Sequence, residues 1–84
     1  MKINSSDVKL IRNVYGYTRK QFAQYLNVSD NYIYLVETER ERLSAPLEDK
    51  IAKRFIEDEN MLIAIRLVGK QFAELRKQVG EVDA

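Results

Sequence analysis

Cysteine and histidine are both absent from the 84 residues. Their absence excludes disulfides, thiolate chemistry and the usual zinc sites, and with them the commonest nucleophile-and-base pairings of covalent catalysis. Proline occurs once and glycine three times, so few breakers interrupt the chain and helix is expected throughout, with no sheet. No run of about 18 apolar residues is available for a membrane span. The opening Met1-Lys2-Ile3-Asn4-Ser5-Ser6 has no apolar signal core, so a soluble, cytoplasmic protein without membrane contact is expected. A dominant charge is missing too. Met1–Ala45 carries seven Lys/Arg against five Asp/Glu, and Pro46–Ala84 seven against eight, for a net +1. Strong nucleic-acid binders carry a clear basic footprint, so any affinity from phosphate neutralisation should be modest. The acids are scattered and suggest no paired-carboxylate site. An enzyme, a metal site and a cofactor are therefore not expected.

What is present is helical periodicity. Eighty-four residues allow one domain with a small core, at a size where oligomerisation often helps. Between Thr18 and Glu37 the apolar residues fall at Phe22, Ala23, Leu26, Val28, Ile33 and Val36. The first three form one helical stripe and the last two another, with Val28 between them. Two stripes across a short break predict two helices packed through a tight turn, a helix-turn-helix. Thr18 with Gln21 fits a capping box for the first, and Ser29 can cap the second. Asn27 stands where the first must stop and tolerates the left-handed conformation that such a stop needs. Upstream, a helix over about 6–15 has Ser5 or Ser6 as its cap, Val8, Ile11 and Tyr15 as its candidate inward residues, and Gly16 as its end. Asp7 lies in its first turn, favourably placed against the helix dipole. Downstream, Ser44-Ala45-Pro46 opens a helix with Leu47, Ile51, Ala52 and Phe55 inward. A fifth helix runs from about Glu59 to Val79.

The stretch from Val8 to Phe55 resembles the phage-repressor (Cro, or XRE) class of helix-turn-helix proteins. Thr18, Gln21, Phe22, Ala23, Leu26, Val28, Ser29, Ile33, Val36 and Glu37 stand in register with its pattern, as do Arg12 and Gly16. Departures are Asn27 for the usual turn glycine, Arg19 for a common glutamine, and Thr38-Glu39-Arg40-Glu41-Arg42-Leu43 where a glycine and then a proline often follow. The resemblance implies an all-α, lambda-repressor-like bundle of five helices, here with an extended C-terminal helix. It also implies a transcriptional regulator of phage, plasmid or mobile-element type, acting on double-stranded DNA in a bacterial cytoplasm. By the same resemblance Asp30, Asn31 and Tyr32 hold base-reading or adjacent phosphate positions, with Tyr34 and Leu35 one turn on. Arg12 and Glu37 would form a structural charge pair that also turns the arginine toward a phosphate.

Chemistry assigns roles within that frame. Asn31 can pair with adenine and Leu35 can touch a thymine methyl, while Asp30 can accept from cytosine, exclude wrong sites by its charge, or only supplement the helix cap. Tyr32 and Tyr34 can reach phosphate through their hydroxyls or pack against neighbouring helices. Arg19, Lys20 and Ser29 at helix starts, with Arg40 and Arg42 after the third helix, are the candidate phosphate contacts. Arg40 and Arg42, interleaved with Glu39 and Glu41, also read as a plain solvated charge run.

The last helix carries a second pattern. Met61, Ile65, Val68, Phe72, Leu75 and Val79 recur at spacings of four and three, a heptad seam. With Leu62, Ile63, Ala64 and Leu67 its first half is apolar nearly all round, and so is expected to be buried on most sides. A division follows into residues 1–57, the DNA-binding part, and 58–84, a dimerisation element packed on it. The homodimer is the expected partner state; the other outcome is a helix that folds back as an internal cap or breaks at Gly69. A different class of function is a protein-interaction module that uses the same fold to bind and inhibit another regulator or enzyme. Asp30, Glu39, Glu41 and the near-neutral charge favour that alternative.

Overall fold

The computed structural model describes residues 2–78. They form five helices, α1 (Ser5–Val14), α2 (Arg19–Leu26), α3 (Asp30–Glu37), α4 (Ala45–Phe55) and α5 (Glu59–Gln78), with no strand among the described residues. The cap of α1 is Asn4 rather than Ser5 or Ser6. Asn4 Oδ1 accepts from the Asp7 N–H at 3.0 Å and Asp7 Oδ2 accepts from the Asn4 N–H at 3.0 Å. Such a box needs its acid three residues past the cap, and Asp7 therefore selects Asn4. Ile3 just before the box and Val8 just after it are both buried in one core, the placement of a hydrophobic staple.

The next two starts follow the local signals. Thr18 and Gln21 close a reciprocal box at 3.1 and 2.9 Å, and Ser29 Oγ accepts from the Tyr32 N–H. Three helices end in the same way, on a residue of positive φ whose successor bonds back to the carbonyl five positions earlier: Gly16, Asn27 and Glu39. For Glu39 this region is disfavoured by the Cβ. The stop after α3 is thus made without glycine.

Phe22, Ala23, Leu26, Ile33, Val36, Leu47, Ile51 and Phe55 meet Val8 and Ile11 in the core. α3 packs on both α2 and α1, while α2 also contacts α4 and α1 also contacts α5. Lys50 on α4 donates to the Leu26 carbonyl at 2.9 Å, satisfying one of the acceptors that the end of α2 leaves open. Tyr15 is partly exposed, but its ring lies 4.9 Å from that of Phe55 and its hydroxyl donates to the Phe55 carbonyl.

α5 is continuous through Gly69, so no break occurs there. The glycine leaves room for the Leu10 side chain of α1, since a Cβ at that position would run into Leu10 Cδ2. Leu62 and Ile65 are buried in the common core, and Arg66 reaches Asp7 through Nε at 2.8 Å and Nη2 at 2.7 Å. The seam expected on this helix is therefore divided. Ile65 is covered by its own chain and cannot belong to a face between copies, and Met61 is half-buried. Val68, Phe72 and Leu75 are exposed, as are Ile63 and Leu67; Val79 lies outside the described residues. No helix among the described residues is long and apolar enough to cross a membrane.

Candidate nucleic-acid interface

Burial of Ile33 and Val36 turns the opposite side of α3 outward. Asp30 and Asn31 in its first turn are exposed, and Tyr34 and Leu35 one turn later are half-buried. The Asn31 amide can donate and accept at once, which matches a two-point contact to a base edge. Ser29 precedes them, with its hydroxyl engaged in the cap.

Tyr32 is half-buried and held by its hydroxyl. Its hydroxyl donates to the Arg42 carbonyl at 3.2 Å and accepts from the Ser44 N–H at 3.2 Å. It ties α3 to the connection that leads into α4, and both functions of the hydroxyl are occupied. Spacing along α3 placed Tyr32 on the outward side, yet the pairing partners lie ten and twelve residues downstream and carry no local signal.

Tyr34 collects cations. The Arg19 guanidinium carbon lies 4.8 Å from its ring centroid and that of Arg40 lies 5.9 Å away. One arginine is the first residue of α2 and the other follows α3 by three residues. Lys20 and Arg42 are exposed. Among the described residues no ion pair engages Arg19, Lys20, Arg40 or Arg42, although Glu39 and Glu41 flank Arg40. These cations are available to an anion supplied from outside.

Arg12 and Glu37 join as expected, in a two-point pair: Nε to Oε2 at 2.7 Å and Nη2 to Oε1 at 3.0 Å. The Arg12 side chain retains 12% of its exposure and that of Glu37 5%. Arg12 also donates to the Tyr17 carbonyl at 2.9 Å. Three of the five guanidinium N–H groups are thus committed to α3 and to the turn after α1, so Arg12 braces these elements.

One buried charge escaped the reading of the chain. Asp7 is almost fully buried and bonded to both Asn4 and Arg66. Burial by itself would raise its carboxyl pKa. The Arg66 and Asn4 hydrogen bonds, with the charge of Arg66, outweigh that and hold it below the ordinary value of 3.8. The Asn4-x-x-Asp7 spacing was a usable cue for the box; nothing local announced Arg66. An open groove of about 790 Å³ lies nearby between α1 and α5, lined by Lys9, Leu10, Asn13, Val14, Gly69 and Phe72 among others. Among the described residues no group of three acids could hold a metal ion. No family model, curated protein or solved structure matches this chain.

Proposed function

We propose that the protein is a sequence-specific DNA-binding regulator of phage, plasmid or mobile-element type, in which α2 and α3 act as a lambda-repressor-like helix-turn-helix. α3 lies in the major groove with Asn31, Asp30 and Leu35 toward base edges, while Arg19, Lys20, Arg40 and Arg42 meet phosphates. The observation that carries the reading is the convergence of Arg19 and Arg40, without carboxylate partners among the described residues, on the outward side of a helix whose first turn offers Asn31. A two-fold dimer through the exposed apolar side of α5 would set two copies of α3 about 34 Å apart and call for a palindromic operator. That side bears Val68, Phe72 and Leu75, all exposed, with exposed Leu67 at its edge, an apolar row that pairing of two copies would cover. The working place of such a regulator is the bacterial cytoplasm.

A gel-shift against the DNA upstream of its own coding region, repeated across salt concentrations, tests this. The Arg19→Ala, Arg40→Ala, Arg42→Ala triple variant should bind specific and random duplex more weakly, with a flatter dependence of log K on log salt. Operator binding equal to wild type would place the docking face elsewhere. The second reading is a module that binds and inhibits another protein, favoured by exposed Asp30 beside Asn31 and by the net charge of only +1. Absence of duplex binding at low salt, with a stable complex recovered on a defined regulator, would establish it.

A further inference from the structure

Resting on the reading of α3 as the DNA-facing helix, we infer that Tyr34 is a positioning residue, the platform that holds Arg19 and Arg40 as one pre-ordered clamp on the DNA backbone, and that it does not read bases. The two arginines are 21 residues apart in sequence and belong to different elements. Their guanidinium carbons nonetheless lie 4.8 and 5.9 Å from the centre of the same ring. An aromatic face attracts a cation through its quadrupole, and guanidinium, planar and weakly hydrated, stacks there better than ammonium.

Two like charges drawn to one ring repel each other. Among the described residues no carboxylate pairs with either of them, even though Glu39 and Glu41 adjoin Arg40. Such an assembly is completed by an external anion. Arg19 is also the first residue of α2, where the unpaired N–H groups and the positive end of the helix dipole favour phosphate oxygens.

The ring performs this task because it cannot wander. Tyr34 is half-buried on α3, one turn after Asp30, so its position is set by the helix and not by a loop. A free arginine loses side-chain entropy when it binds, whereas one already stacked loses less. The benefit is independent of sequence, because phosphates carry no base information. No hydrogen bond engages the Tyr34 hydroxyl among the described residues, in contrast to the hydroxyls of Tyr32 and Tyr15. The face of the ring is therefore the working part.

Two measurements decide the matter. In the free full-length protein, the Arg19 and Arg40 Nε–Hε resonances should carry ring-current shifts that Tyr34→Leu abolishes and Tyr34→Phe retains. In duplex binding, Tyr34→Phe should stay within about twofold of wild type. Tyr34→Leu should lose roughly five- to thirty-fold, from two contacts of ordinary cation–π strength, equally on preferred and random duplex and with the salt slope unchanged. On an Arg19→Gln, Arg40→Gln background Tyr34→Leu should add nothing, which separates the clamp from a general loss of folding. A loss confined to the preferred duplex would make Tyr34 a base reader, and an equal loss in Tyr34→Phe would assign the effect to the hydroxyl; either overturns the clamp. If wild type binds no duplex, the DNA reading fails by itself. The clamp is then judged by sodium tripolyphosphate, which should shift the Arg19 and Arg40 resonances of wild type but not of Tyr34→Leu; no shift in wild type overturns it.

Discussion

Removing Glu37 tests how α3 is held. Its carboxylate takes both Nε and Nη2 of Arg12, at 2.7 and 3.0 Å, with 5% of its side chain exposed. In Glu37→Ala the guanidinium keeps only the Tyr17 carbonyl at 2.9 Å and remains largely enclosed. Breaking a buried pair from one side costs about 3–5 kcal/mol, because the other charge is left uncompensated. Arg12 retains 12% exposure and can turn part of its head toward water, which favours the lower end, about 3 kcal/mol. A domain of this size loses roughly 4–8 °C of Tm per kcal/mol, so the melting temperature should fall by roughly 12–24 °C. Urea unfolding followed by far-UV circular dichroism gives the free energy directly, provided that the m-value is unchanged. Arg12→Leu with Glu37→Met should recover most of the loss, since apolar replacement of a buried pair is often neutral. A single variant within about 1 kcal/mol of wild type would refute the view of this pair as a brace.

Asn31→Ala should weaken binding to the preferred site by about 1–3 kcal/mol and relax preference at one base pair, measured by competition with single-base variants of the operator; equal loss on random duplex would assign Asn31 to the backbone. Phe72→Glu with Leu75→Glu changes two side chains that are each more than half exposed. The first four helices should therefore survive while sedimentation shows a monomer near 9.9 kDa and specific DNA binding falls more than non-specific binding. A wild type that is monomeric at high micromolar concentration defeats the dimer. Asp7 should impose an acid limit on stability. Its folded pKa is depressed below 3.8, so its contribution is complete above that value and is lost as pH falls through the folded pKa. Chemical unfolding between pH 5 and 2 should thus show a flatter profile for Asp7→Asn than for wild type, and parallel profiles would count against the Asp7–Arg66 pair.

Local chemistry made most of the helices legible. Thr18 with Gln21, Ser29, Asn27, Ser44 with Pro46, and Gly16 are signals whose partners lie within a turn, and the core stripes at Phe22, Ala23 and Leu26 or Leu47, Ile51 and Phe55 repeat at helical spacing. Each of these follows from backbone groups that a helix end leaves open and from the period of the helix itself. The pairing of Arg12 with Glu37 was reachable only through a resemblance, because 25 residues separate them. Tertiary structure alone decided the rest. Heptad spacing on α5 marks a row of apolar residues but not which of them the same chain covers; packing against α1 took Leu62 and Ile65 inward and left Val68, Phe72 and Leu75 outside. Likewise, nothing near Tyr32 announces the Ser44 amide, nothing near Asp7 announces Arg66 59 residues on, and nothing near Tyr34 announces two arginines. Such pairings depend on where separate helices cross, and a crossing is settled by the shapes of two buried faces together.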